Sequence, residues 1–378
     1  MMIKQSFERT WRNHTGSLVL LLALCMLIVE WLFLEYALSY DPFNESGDVS
    51  DYWRNSQSWR SAFEPHHSPG YPIFIAATRA IVGNFLAQQA IMTGIVFVAF
   101  LVAVMAVFQI AKDGINSNQP WISVMAAALF VLWPMVGLTY VATPIADMFS
   151  MAPLLLGWWL LSRNRPFPAS IFLGLAMFSH KGTWPFAVLL MVGYLIANRT
   201  LSSFIFAGVM FLPIGILWLL GTIYNDSPVW MFSADIDWSI DSSSSLPILD
   251  GILGSIMFGG FSGVGKGMIV IVEVLLALAV ILRAWRLPNY DQAKWFSLAI
   301  AFAVILSILI LNEKEIWATV RFGRLLALPV AMIYGGTIVR AASSNIRYVY
   351  GIVFVLFSMI LSQFAFSYYM AKVWVPYF

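Results

Sequence analysis

The chain has 378 residues, of which 60% are hydrophobic and only 11% charged, with a formal net charge of +2. Soluble domains carry roughly 25% charged residues, so this composition excludes an ordinary soluble protein, and nothing in it points to nucleic acid. Apolar runs such as 17–33 and 268–282 approach the ~18–20 residues that a bilayer-crossing helix needs. The fold class is therefore an all-α polytopic membrane protein, because a helix satisfies its own backbone in lipid. The short alternating segments of a β-barrel are missing. Cys25 is the single cysteine and lies within the first apolar run, so no disulfide forms within the chain.

Taken in order, apolar runs and their polar breaks predict about eleven spans: 17–40, 83–111, 120–140, 146–162, 167–180, 184–198, 201–223, 267–286, 293–311, 322–341 and 347–370. The basic start before the first run resembles a signal peptide. The run is too long, contains Glu30 and lacks a small-x-small cleavage site, so it reads as a retained helix. With the N-terminus inside, the inner segments hold twelve of the 21 basic residues, from Lys4, Arg9 and Arg12 to Arg340 and Arg347. They hold three of the 19 acids, Glu8, Asp113 and Asp291. That bias predicts an N-in, C-out topology.

The first outer loop is then 41–82, and its stretch 71–82 reads as a helix lying in the interface. A second outer loop, 224–266, is first acidic and then rich in serine and glycine. No repeat of 20–50 residues and no inverted repeat is visible, so 1–378 reads as a single integral-membrane domain.

Polar residues that can carry chemistry cluster between Gly47 and Pro72. Asp48 and Asp51 share a face on a helical turn, amid Tyr52, Trp53 and Trp59 and ahead of His66 and His67. A carboxylate partly desolvated by such aromatic walls suits a general base for a hydroxyl acceptor, although a solvated acidic loop has the same composition. Asp147 follows a Thr-Pro break at the start of the fourth span, as a helix cap or as a second acid facing that loop. Lys181, next to His180, either snorkels or marks a site. Arg321 and Arg324 fall on one helical face on the outer side, where two guanidinium forks suit a phosphate or an ordinary anionic headgroup. Glu30 and Glu273 lie inside predicted spans, as functional acids or as partners of Lys266 or a neighbouring arginine.

Two matches are decoys. The run Gly260 to Gly267 approximates a phosphate loop but has Gly267 in place of the required Ser/Thr, and no strand precedes it. Asp235 and Asp237 form an Asp-x-Asp, on a side that cytosolic nucleotide sugars do not reach.

The order of these motifs resembles a known family. Gly-Asp-x-x-x-Tyr (Gly47, Asp48, Tyr52) is followed by His-x-Pro-x-Tyr-Pro (His67, Pro69, Tyr71, Pro72) and Thr-Pro-x-x-Asp (Thr143 to Asp147). His-Lys-Gly-Thr (His180 to Thr183) and Arg-Phe-x-x-Leu-Leu-x-Leu-Pro (Arg321 to Pro329) come later. The series is similar to the GT-C superfamily of integral-membrane glycosyltransferases, which use polyprenyl- or dolichyl-phosphate sugars. The first-loop acids here are separated by Val49 and Ser50, where many members have adjacent acids, and the chain lacks the soluble C-terminal domain of several branches.

The resemblance implies Asp48 as the catalytic carboxylate, Asp51 as the alternative, and Asp147 as the second acid. It implies Arg321, Arg324 and Lys181 on the lipid phosphate, with Tyr52, Trp53, Trp59, His67 and His180 as supporting or sugar contacts. It also implies a polyprenyl-phosphate-linked donor and a glycan, lipid or protein acceptor. The setting it implies is a bilayer, such as a bacterial inner membrane, with the site facing the periplasm or lumen. A divalent cation, magnesium or manganese, held by Asp48 and Asp147 is an option. The competing readings are a transporter or flippase lined by Glu30, Glu273 and Arg321, and a polymerase or ligase of lipid-linked oligosaccharides.

Overall fold

A computed structural model describes residues 2–41, 43, 47–63, 68–114, 120–133, 142–198, 200–228, 230, 260–286, 292–310, 321–369 and 371–372. His66, His67, Asp235 and Asp237 lie outside the described residues, as do the side chains of Asp48 and Lys266. Among the described residues every regular element is helical, and none is a strand.

The helices are α1 (Met2–Leu32), α2 (Gly47–Asn55), α3 (Gly70–Ile81), α4 (Phe85–Gly114), α5 (Pro120–Val131), α6 (Ala146–Ser162) and α7 (Pro166–Ser179). They continue with α8 (Trp184–Asn198), α9 (Leu201–Asn225), α10 (Gly260–Trp285), α11 (Gln292–Ile310), α12 (Ala327–Ser344) and α13 (Ile346–Tyr369). Each predicted apolar span has its helix. Among the described residues five stretches are long and apolar enough to cross a membrane: Thr15–Ala37, Leu86–Gly114, Leu201–Asn225, Arg321–Ser344 and Ile346–Tyr368. The protein is thus an α-helical membrane protein.

Both ends of the first helix differ from those the apolar runs predict. Helix α1 begins at Met2, because its Lys, Gln, Glu and Arg residues are good helix formers whatever their hydropathy. Its far end loosens into a π-helical turn, Phe33–Ala37. The junction after α7 is a turn, as the break between the spans 167–180 and 184–198 predicts. His180 is extended there, and Lys181–Thr183 form a single 3₁₀ turn before α8.

The chain meanders back and forth. Gly16 lies against Phe108 and Met105, so α1 and α4 run antiparallel. Asp113 at the end of α4 meets Arg163 just past α6, so those two run parallel. Helix α7 turns back to bring His180 to the end where α6 begins, called here the site end. One continuous apolar core, from Val19 to Phe366, joins the bundle. Burying it drives packing at roughly 25 cal/mol per Å² against water, whereas against lipid the gain comes from close fit.

The short helix α3 is fixed at this end by close approach. A Cβ on Gly70 would stand 2.2 Å from the Phe178 ring and 2.5 Å from the Phe178 carbonyl oxygen. Only glycine lets α3 lie against the end of α7.

Candidate functional site

Four stretches far apart in sequence meet at the site end. From the first loop, Tyr52 of α2 packs edge-on against Tyr71 of α3, with ring centroids 5.1 Å apart. The Tyr71 hydroxyl donates to the Pro144 carbonyl oxygen at 2.8 Å. Burial, and next the Asp147 carboxylate, push the Tyr71 hydroxyl well above the ordinary tyrosine range, so it stays a donor. Pro144 belongs to the turn that delivers Asp147 to the first turn of α6, where the helix dipole favours an acid.

Asp147 reaches across the bundle to the fourth stretch. Its Oδ2 accepts from Arg321 Nη1 at 3.2 Å, with side chains 2% and 16% exposed respectively. Asp147 Oδ1 is buried with no hydrogen-bond donor among the described residues. Arg321 is the edge of the cluster that remains within reach of a ligand, while Asp147 is sealed behind it.

Arg324 lies deeper, at 1% exposure. Its Nε donates to the Arg321 carbonyl oxygen at 3.1 Å, and its guanidinium lies 5.8 Å from the Phe130 ring centroid. A buried guanidinium demands acids close by, and Asp147 and Glu273 supply them. Glu273 is fully buried in α10 and accepts from Trp133 Nε1 at 2.9 Å. Gln363 of α13 holds that tryptophan in turn, donating to the Trp133 carbonyl oxygen at 2.8 Å. Gly323 makes room here, since a Cβ on it would fall against the Glu273 carboxylate and force that side chain to shift. Of the two partners considered for Glu273, Arg324 lies within its electrostatic reach, and the side chain of Lys266 lies outside the described residues. Glu30 finds the hydroxyl of Ser367 on α13.

His180 belongs to the same cluster. Its ring packs 5.4 Å from the Phe322 ring, and Asp147 lies in its field. Its Nδ1 accepts from the Gly182 backbone N–H at 2.9 Å, which places the proton of the neutral ring on Nε2. Lys181, half-buried, heads the turn that this hydrogen bond closes.

The other predicted residues stand apart from this group. Asp51 pairs with Arg54 one turn along α2, at 3.0 Å. Trp53 carries the Arg79 guanidinium over its ring at 4.6 Å, and Trp59 is 59% exposed. Among the described residues no three His, Cys, Asp or Glu side chains gather to hold a metal ion. Asp147 has one oxygen already on Arg321, so a cation there would compete with a guanidinium in place.

Sequence reasoning missed Trp133, Phe322 and the role of Gly323. A readable signal existed for the last. A buried arginine implies a buried acid, and a glycine beside that arginine makes room for one. No protein-family model and no curated protein matches this chain.

Proposed function

We propose that the protein is a membrane glycosyltransferase of the GT-C type. It would move a sugar from a polyprenyl-phosphate donor to an acceptor on the outer face of the membrane, with inversion. In this reading the eleven helices at the predicted apolar spans cross the bilayer, N-in and C-out, and the site end lies outside.

The observation that carries the reading is the convergence just described. Tyr52 and Tyr71 of the first loop, Asp147, His180 and Arg321 come from four separate motifs of the sequence and share one cluster in space. A transporter needs no such gathering at one end.

Chemically, the acceptor hydroxyl gives its proton to Asp48, with Asp51 as the alternative base. The acceptor oxygen forms a bond to the anomeric carbon as the bond from that carbon to the phosphate oxygen breaks. The lipid phosphate leaves with the electron pair. Arg321 meets the negative charge that develops on it, held in place by Asp147 on one side and backed by Arg324. Lys181 and His180 border the same space, Tyr52 shapes its wall, and Trp53, Trp59 and His67 serve the sugar. A cation on Asp48 and Asp147 would assist departure of the phosphate without replacing any of these roles.

The test uses membranes carrying the full chain and a labelled polyprenyl-phosphate sugar. Asp48→Asn is expected to lower label transfer by about 10²–10⁴-fold at unchanged protein abundance. Turnover near wild type overturns the assignment.

A further inference from the structure

A cleft of about 740 Å³ opens beside the cluster, between the end of α1 with its π turn and the start of α4. Its lining is graded. Asp41, Gln89 and Thr143 line it with polar groups toward the site end. Gly94 and Phe97 line it further along α4. On α4 the lining runs from Leu86 to Phe97, a rise of about 16 Å at 1.5 Å per residue. The cavity is thus shaped for an amphiphile, with its head at the site end and its stem in the hydrocarbon region.

Charge decides which amphiphile. Glu35 and Asp41 are both in the lining, and among the described residues no Lys, Arg or His is. Lys372 bonds the Leu38 carbonyl at 2.6 Å on the same stretch of chain but is not part of the wall. A phosphate head placed here would meet two carboxylates and no counter-charge, which is repulsive. Hydroxyl groups find carboxylate, amide and hydroxyl partners instead, and Tyr40 offers an aromatic wall of the kind that binds sugar rings. Thr143 joins the two regions, since it lines the cleft and stands four residues before Asp147.

We propose that this cleft is the acceptor site, and that it takes a hydroxylated, phosphate-free head on an apolar stem. The donor phosphate is thereby left to the Arg321 side. The assignment of the occupant as acceptor rests on the glycosyltransferase reading; the head-group preference rests on the cleft alone.

Gly94 offers a clean test, because a Cβ there meets nothing within 4 Å. A larger side chain enters the cleft without disturbing the backbone packing. The full chain in lipid nanodiscs is titrated with tritiated dodecyl maltoside below its micelle concentration, with dodecyl phosphate and free maltose as competitors. Wild type is expected to bind the glycoside, and dodecyl phosphate is expected to compete poorly. Competition by free maltose as strong as by the glycoside would identify a free-sugar site and overturn the need for an apolar stem. Gly94→Phe is expected to weaken glycoside binding about tenfold or more, and Glu35→Lys to let dodecyl phosphate compete. Unchanged binding in Gly94→Phe, or equal competition by the phosphate in wild type, overturns the proposal. Loss of binding in Gly94→Phe, combined with no sugar transfer by wild type from any polyprenyl-phosphate donor, keeps the cleft and removes the glycosyltransferase reading.

Discussion

Helix α6 carries an ion pair at each end, and the two pairs are made of the same chemistry. At its start Asp147 meets Arg321 at 3.2 Å, with side chains 2% and 16% exposed. Just past its end Arg163 meets Asp113 at 2.8 Å, with side chains 45% and 27% exposed. The second pair is shorter, yet water competes for both partners, so its contribution to stability is small. The first is enclosed by Tyr71, His180, Phe322 and Arg324, where each charge depends on the other. Distance therefore ranks the two pairs in the wrong order. Enclosure ranks them correctly, and it also separates the sealed end of α6 from the end open to solvent.

The comparison breaks most visibly at Arg321. Arg321→Ala leaves the Asp147 carboxylate buried without its guanidinium, a defect that costs about 3–5 kcal/mol. A marked drop in thermal unfolding temperature in detergent is expected, together with loss of affinity for polyprenyl phosphate. Arg321→Lys separates the two effects. The charge remains and stability recovers in part, while the planar fork that suits a phosphate is gone. A lysine variant with full donor affinity would show that Arg321 serves only to hold Asp147.

Why one end could be read from the sequence and the other only in part follows from the same physics. Helices announce themselves through apolar runs, so α4, α6 and α13 stand where 83–111, 146–162 and 347–370 predicted. The candidate acids and arginines were legible as well, since charges in apolar surroundings are conspicuous. What stayed hidden was which charge meets which. Arg321 and Arg324 are three residues apart and were paired as twin phosphate ligands, but one is at the edge of the cluster and the other fully enclosed. That depth is decided by α10, whose Glu273 lies some fifty residues away, and by Gly323, which admits it. Trp133 stayed hidden for the same reason, because an indole in an apolar run looks like core until its N–H finds an acid.

A smaller effect is expected at Tyr71, which carries the enclosure without carrying charge. Tyr71→Phe removes the hydrogen bond to the Pro144 carbonyl and leaves a buried acceptor unpaired, a loss of about 1–3 kcal/mol. It also has a signature in pH. The folded chain holds the Tyr71 proton above the ordinary tyrosine range, whereas the unfolded chain releases it near pH 10. Above that pH the folded state binds more protons than the unfolded one, so stability falls as pH rises. Below it this group contributes no slope. Unfolding in denaturant at pH 9 and pH 11 should show a steeper alkaline loss in wild type than in Tyr71→Phe, and equal slopes would mean that Tyr71 is not enclosed.

The smallest effect belongs to the exposed pair, and it sharpens the contrast. Arg163→Ala removes the contact with Asp113 and the guanidinium that lies 4.6 Å over the Trp159 ring. Trp159 keeps Asp113 through its own Nε1, 3.2 Å from Oδ2, so the acid is not stranded. The expected cost is below about 1 kcal/mol. It should shrink further between low and high salt, because exposed charges are screened over about 10 Å at 0.1 M. Arg321→Ala measured in the same salt series should change much less, since only the edge of that pair is open to screening ions. A salt dependence equal in the two variants would mean that the enclosure of the Asp147 cluster is not what distinguishes the two ends of α6.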